Sequence, residues 1–218
     1  VPRKRRYSLH MIGRNQAFFC LFPAPAGQLT KKRCRLKRRD PKNQEVPHIM
    51  QNTAISIENL SVRFRGYTVL DDISASIPAG GCTVFVGPNG AGKSSTIKVM
   101  SGILTPDAGE CVIDGLTPWR DRMRHARNIG VVFGQRSQLW WDVPVIDSFE
   151  LLRDIYKIET SAYRCNLEEL TALLNLSDIL RTPARQLSLG QRMRCEIAAS
   201  LLHDPRILFL DEPTIGLD

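Results

Sequence analysis

The stretch "GPNGAGKSS" constrains this chain more than any other feature. It matches the pattern G-x-x-x-x-G-K-[ST], follows the apolar run "CTVFV" and precedes a helical pattern that Gly102 is expected to end. Glycines let backbone N–H groups curl around a phosphate, and the helix start adds partial positive charge. A structural turn is the plainer alternative, but this context favours phosphate binding by Gly87, Pro88, Asn89, Gly90, Ala91, Gly92, Lys93, Ser94 and Ser95.

Two side chains of this loop have separate predicted tasks. Lys93 is placed to reach the β- and γ-phosphates of a nucleotide, and the Ser94 hydroxyl can ligate Mg²⁺. The motif alone indicates nucleoside triphosphate binding, and it leaves open kinases, GTPases and many ATPases.

A pair of acids ends the apolar run "ILFL". Asp211 and Glu212 follow it directly. In folds built around a phosphate-binding loop, a second apolar strand beside the strand of that loop ends in an Asp that holds Mg²⁺ through water, and we assign this role to Asp211. Glu212 is placed to polarise the attacking water as a general base. The plainer alternative for Glu212 is a solvated acid at a strand end.

The hydrophobic pattern predicts an α/β fold. Alternation over "AISIENLSVRF" and "VLDDISASI" indicates half-buried strands, whereas the short apolar run "CTVFV" indicates a strand buried on both faces. Further strands are predicted at "GECVIDG", "NIGVVFG" and "RILFL". Apolar residues at three- and four-residue spacing predict helices from Val145 to about Leu180 and in the segment "LSLGQRMRCEIAASLLHD".

The positive charge is confined to the first segment. Residues 1–49 carry a net charge of +11, and residues 50–218 carry −3. The segment 1–49 has little apolar content, so we expect it to be disordered or not part of the native domain, which would then be residues 50–218 starting at Met50. A basic arm for nucleic acid or anionic lipid and a targeting peptide are the alternatives.

The apolar runs and the cysteines limit which other classes of protein the chain can belong to. The longest apolar runs are too short to span a bilayer, so we expect any membrane role to be peripheral. The cysteines have no C-x-x-C spacing, which argues against a zinc site and a disulfide framework and favours a reduced, cytosolic compartment; they are Cys20, Cys34, Cys82, Cys111, Cys165 and Cys195.

The segment "LSLGQ", about twenty residues before "LFLDEPTIGLD", adds a resemblance to the phosphate loop. Together these motifs resemble the ATP-binding-cassette (ABC) ATPase family, whose signature is LSGGQ. Leu189 departs from that signature, whereas Ser188, Gly190 and Gln191 match it. The resemblance implies a P-loop NTPase with a RecA-like core, an N-terminal antiparallel β subdomain and an inserted α-helical subdomain at about residues 137–190.

Other positions follow from the same resemblance, one at a time. Gln135 resembles the glutamine that contacts Mg²⁺ and the attacking water, although a surface-loop Gln is the plainer reading. An aromatic ring that stacks on adenine is expected at Phe64, with Tyr67 as the alternative. Asp218, in "TIGLD", resembles the residue that communicates between two nucleotide sites.

The resemblance also implies partners and a place in the cell. A second ATPase subunit would complete each ATP site, and a multi-span permease would dock near Gln135–Ile146, as in exporters with a separate permease. Trp140 and Trp141 either dock that permease or pack in the chain's own core. The ATPase would then be cytoplasmic, on the inner face of the membrane.

Two other functions stay open. A soluble ABC ATPase acting on nucleic acid or ribosomes is the first, although the interval from Lys93 to Ser188 is compact for that class and we expect no direct nucleic-acid contact. A fragment that binds nucleotide without hydrolysing it is the second. None of the four histidines follows Asp218, so none can be the family's γ-phosphate-sensing histidine, and we expect a truncated chain with little turnover.

Overall fold

The structure, a computed structural model of the chain, describes the strand at residues 17–21 and the residues 53–134 and 137–212. In chain order the elements described are β1 (Ala17–Leu21), β2 (Thr53–Phe64), β3 (Tyr67–Pro78), β4 (Cys82–Phe85), α1 (Lys93–Met100), β5 (Ala108–Ile113), α2 (Arg122–Asn128), β6 (Ile129–Phe133), α3 (Val145–Tyr156), α4 (Thr160–Leu174), a 3-10 turn (Ala184–Gln186), α5 (Leu189–Leu201) and β7 (Ile207–Asp211).

The first sheet is antiparallel and has the order β3-β2-β5. Strand β2 alternates as the sequence predicts, because Ile55 and Ile57 are buried, whereas Ser56 between them is half-buried and Glu58 after them is exposed. The predicted antiparallel β layer is therefore confirmed.

The second sheet has the order β4-β1-β7-β6, with β6 and β7 parallel. Strand β7 is buried on both faces, as "RILFL" predicts. Ile207 and Phe209 join the cluster that contains α1 and the first sheet, whereas Leu208 and Leu210 pack against α5. This strand carries Asp211 at its end, so the candidate acid is fixed by packing on two sides.

Strand β1 corrects the expectation that residues 1–49 are disordered throughout. Residues 17–21 pair antiparallel with both β4 and β7, and Ala17 lies opposite Phe85 on one side and Asp211 on the other. The prediction that β7 lies directly beside β4 is therefore wrong for the described sheet, because β1 lies between them. The physical reason is that "AFFCL" is the apolar, β-prone part of the segment, and the facing strand edges need hydrogen-bond partners. The rest of residues 1–49 lies outside the described residues.

Strand β4 is less buried than "CTVFV" predicts. Cys82 is exposed, Thr83 to Phe85 are half-buried, and Val86 is exposed. Among the described strands, β4 pairs only with β1 and so lies at an edge of its sheet. A strand at an edge keeps one side accessible to solvent, which the run of apolar letters alone does not reveal.

A separate group of buried residues joins α3, α4 and α5, running from Leu139 to Leu202. It extends beyond residue 190, because Cys195, Ala198 and Ala199 of α5 belong to it. In the part of the chain that the structure describes, no helix combines the length and apolar content of a membrane span. Helix α2, which the hydrophobic pattern did not predict, connects the first sheet to β6.

Candidate functional site

The phosphate loop turns directly into helix α1. Gly90 and Gly92 have φ of 82° and 88°, a backbone region that glycine adopts without steric cost. Gly92 is the residue before the helix, and no described side chain caps that end. The N–H groups of the first helical turn are therefore directed to an external acceptor, as an anion site requires.

Close packing behind the loop explains the second glycine of the motif. A Cβ atom at Gly92 would overlap the Leu70 side chain and lie 3.1 Å from the Val69 carbonyl oxygen. Strand β3 therefore supports the loop from behind, and this contact brings the β2–β3 hairpin next to the phosphate loop.

Replacing Gly92 by Ala is expected to lower the free energy of unfolding by about 1–3 kcal/mol, because the left-handed backbone and the overlap with Leu70 both penalise a side chain. Urea unfolding followed by circular dichroism measures it. Gly81→Ala is the matched control, since a Cβ there meets nothing within 4 Å. Equal stability of the two variants would show that the loop does not press against β3.

Lys93 folds back over the loop. Its Nζ donates to the carbonyl oxygens of Gly87 at 2.8 Å and Pro88 at 2.9 Å. These bonds hold the ammonium group above the loop rather than in solvent. The position fits the predicted role, because a cation at this point faces the same space as the helix N–H groups.

The structure brings the phosphate loop and the acid-bearing strand together. The Ser94 hydroxyl donates to Asp211 Oδ1 at 3.0 Å, a contact between residues 117 positions apart. The backbone N–H of Gly134 donates to the Asp211 carbonyl oxygen at 3.0 Å, which ties the end of β6 to the same point. A hydroxyl and a carboxylate are the hard oxygen ligands that Mg²⁺ takes, so these residues fit the ion.

Glu212 follows as the first residue after β7. It is half-buried and has a φ of 53°, which is uncommon for a residue with a side chain. Such a backbone is retained where the surroundings determine it, and it turns the chain sharply at the acid pair. This geometry sets Glu212 apart from a regular strand residue.

The signature segment begins helix α5 at a different place. Ser188 Oγ accepts from the Gln191 N–H at 3.2 Å, and Gln191 Oε1 accepts from the Ser188 N–H at 2.9 Å. This reciprocal cap fixes an exposed helix start. The hydrogen bonds described for these two side chains stay within the cap, and none of them joins Ser188 to this chain's own phosphate loop.

The two aromatic candidates for adenine stacking both lie at the surface. Phe64 and Tyr67 face each other across the β2–β3 hairpin and are 63% and 79% exposed. Both rings are therefore accessible to a stacking ligand. Gln135 and Asp218 lie outside the described residues.

The two tryptophans are at the surface. Trp140 is 59% exposed and Trp141 is 51% exposed, so packing in the chain's own core is wrong for both. The Arg192 guanidinium lies over the Trp141 ring, 4.5 Å from its centroid. Trp141 thus contacts helix α5 with one face and leaves about half of its surface free.

Sequence reasoning missed a buried carboxylate on α5. Glu196 is 4% exposed and accepts hydrogen bonds from Ser137 Oγ and the Gln138 backbone N–H. Burial raises the pKa of its carboxyl, and these hydrogen bonds act in the opposite direction. A signal was present, because Glu196 is the single charged residue in the mainly apolar run "CEIAASLL".

Comparison with known proteins agrees with these motifs. The sequence model described as "ABC transporter" matches residues 70–215. The uncharacterized ABC transporter ATP-binding protein YhcH of Bacillus subtilis (strain 168) is 32% identical over 76% of this chain and 53% of its own length. The Nod factor export ATP-binding protein I of Ralstonia nicotianae (strain ATCC BAA-1114 / GMI1000) is 34% identical over 79% of this chain and 53% of its own length.

A solved structure gives the same result for the fold. The cbiO1 protein of Clostridium perfringens, part of the ABC transporter complex cbiONQ, matches with a TM-score of 0.64 and 26% identity over 77% of this chain and 68% of its own. The chain spans about half the length of the two curated relatives named above. The match over residues 70–215 and the shared fold show that the chain belongs to the ABC transporter ATP-binding family.

Proposed function

We propose that the chain hydrolyses ATP to drive export through a membrane permease. The observation that carries the proposal is the 3.0 Å contact between Ser94 and Asp211, which joins a phosphate loop to an acid pair across the core. The test is ATPase activity of the full-length protein with and without its permease. If the permease leaves the rate of ATP hydrolysis unchanged, the chain is an ATPase whose hydrolysis is not coupled to transport.

In the proposed reaction each residue has one task. The loop N–H groups and Lys93 bind the phosphates, and Lys93 balances negative charge on the γ-phosphoryl oxygens. Ser94 and Asp211 would hold Mg²⁺, with Gln135 as a further ligand, and the ion would offset phosphate charge. Glu212 orients the attacking water and accepts its proton.

The placement of Ser188 supports a dimer. An exposed helix start that presents a serine fits one half of an anion site. We propose that a second copy supplies the other half, so that Ser188, Gly190 and Gln191 of each copy contact ATP held by the other. Asp218 would connect the two sites, and Phe64 or Tyr67 would stack on adenine.

The surface after Gln135 is the proposed permease dock. The helices around the buried cluster from Leu139 to Leu202 would form the helical subdomain, which brings this surface to the inner face of the membrane. Export is favoured by the relative whose name includes Nod factor export. A transport assay in inverted and right-side-out vesicles tests the direction.

Replacing Trp140 and Trp141 together by Ala is expected to lower permease co-purification by about tenfold or more, because exposed aromatic residues concentrate binding energy. Quantitative immunoblotting of the purified complex measures it. Leu173→Ala on α4 is the control, since Leu173 is another exposed apolar residue at 50%. If both variants recover equal amounts of permease, the permease binds at a different surface of the chain.

The second candidate, a soluble ATPase acting on nucleic acid or ribosomes, is favoured by the +11 charge of residues 1–49. Co-sedimentation with ribosomes at low and high salt distinguishes it. Salt-sensitive binding together with ATPase activity that ribosomes stimulate would replace the transport proposal.

A further inference from the structure

Helix α5 carries a second feature besides its exposed start. Two turns after Ser188, the buried carboxylate of Glu196 binds the loop at Ser137 and Gln138. Its Oε2 accepts from the Gln138 N–H at 3.0 Å, and its Oε1 accepts from Ser137 Oγ. One side chain of the helix therefore holds the chain at Ser137 and Gln138.

A second contact lies one turn earlier on the same helix face. Arg192 and Glu196 are four residues apart, a spacing that places both on one side of a helix. Arg192 covers the Trp141 ring, as described above. The loop between Ser137 and Trp141 is thus attached to α5 at both of its ends.

The same loop is also attached to the strand that leads to the acid pair. Gln138 Nε2 donates to the Val131 carbonyl oxygen of β6 at 2.5 Å. At the end of β6, the Gly134 N–H donates to the Asp211 carbonyl oxygen. A continuous path of described contacts therefore runs from the start of α5, through Glu196 and the loop, to Asp211.

We propose that Glu196 is a positioning residue that couples the helix start at Ser188 to the acid pair of the same chain. The inference rests on the proposed function, because it concerns how contact at Ser188 affects hydrolysis at Asp211 and Glu212. When α5 shifts on engagement of Ser188, its Glu196 carboxylate moves the loop after Gln135 with it. A carboxylate suits this task because its two oxygens accept from a side chain and a backbone group at once.

The experiment compares Glu196→Leu and Glu196→Gln in the full-length protein. Leu fills a similar volume but leaves the Gln138 N–H without an acceptor and Ser137 Oγ with only the Leu139 carbonyl oxygen, whereas Gln keeps one oxygen. The controls are Glu169→Leu and Glu169→Gln, on the exposed surface of α4. The readouts are kcat, the Kd for ATP, and the ATP-induced change in Trp141 emission with Trp119 and Trp140 replaced by Phe.

For Glu196→Leu we expect kcat to fall about tenfold, as coupling mutations do, with the Kd for ATP within about twofold. The Trp141 emission change should be lost, and Gln should restore most of kcat. A kcat equal to that of Glu169→Leu overturns the proposal. A parallel loss of kcat and ATP affinity with a normal Trp141 response also overturns it, because that pattern describes a local structural defect.

Two further variants keep the result decisive. If Glu196→Leu does not fold, Ser137→Ala removes one donor at the loop surface, and a lower kcat at unchanged Kd supports the coupling, whereas an unchanged kcat rejects it. Glu212→Gln tests the proposed function separately. Lost turnover there with normal turnover in the Glu196 variants rejects only the coupling.

Discussion

Glu212→Gln is expected to stop ATP turnover while ATP remains bound. Glutamine keeps the size of the side chain but cannot accept a proton, and removing a general base costs about 10²–10⁴-fold in rate. Nucleotide affinity should persist, because the phosphate loop and the contact between Ser94 and Asp211 are untouched. Phosphate release measures turnover, and filter binding of labelled ATP measures affinity. Size-exclusion chromatography with ATP should show an accumulating dimer.

Glu110→Gln is the matched control, because Glu110 is an exposed glutamate on β5. It should leave both turnover and affinity unchanged. Wild-type turnover in Glu212→Gln would show that Glu212 is not the general base. Of the acid pair, only Asp211 would then keep its proposed role. Loss of ATP binding in that variant would instead make Glu212 a structural residue of the site.

Much of the fold could be predicted because its signals are local. The loop from Gly87 to Ser95 is recognised from its own glycines and the helical pattern that follows, and the alternation in β2 indicates burial residue by residue. The cap at Ser188 and Gln191 is likewise a short-range pattern. Such features depend on a few neighbouring residues, which the sequence displays directly.

Strand neighbours could not be predicted, because pairing joins distant residues. The placement of β1 between β4 and β7 depends on which edges are available, and this decides that β4 is only half-buried. The contact of Ser94 with Asp211 was expected from the roles of the motifs rather than from any local pattern. The burial of Glu196 was not predicted because its hydrogen-bond partners lie 58 and 59 residues away in the sequence.

Lys93→Ala is expected to raise the Kd for ATP by about 10–100-fold, the effect of losing one charge-assisted contact to a phosphate. Nucleotide affinity is measured by titration of a fluorescent ATP analogue. Lys98→Ala is the control, since Lys98 is an exposed lysine on the same helix, and it should bind as the unchanged protein does.

Lys93 can act on ATP binding in two ways, by contacting phosphate and by supporting the loop. A third variant, Lys93→Arg, separates these two effects. Lys93 donates to the carbonyl oxygens of Gly87 and Pro88, so alanine also removes support for the loop. Lys93→Arg keeps the positive charge but changes its reach, because a planar guanidinium replaces a compact ammonium. If Arg restores the melting temperature but not the affinity, Lys93 acts on phosphate directly. Unchanged ATP binding in Lys93→Ala would reject the phosphate loop itself, and with it the assignment of Ser94 and Asp211 to Mg²⁺.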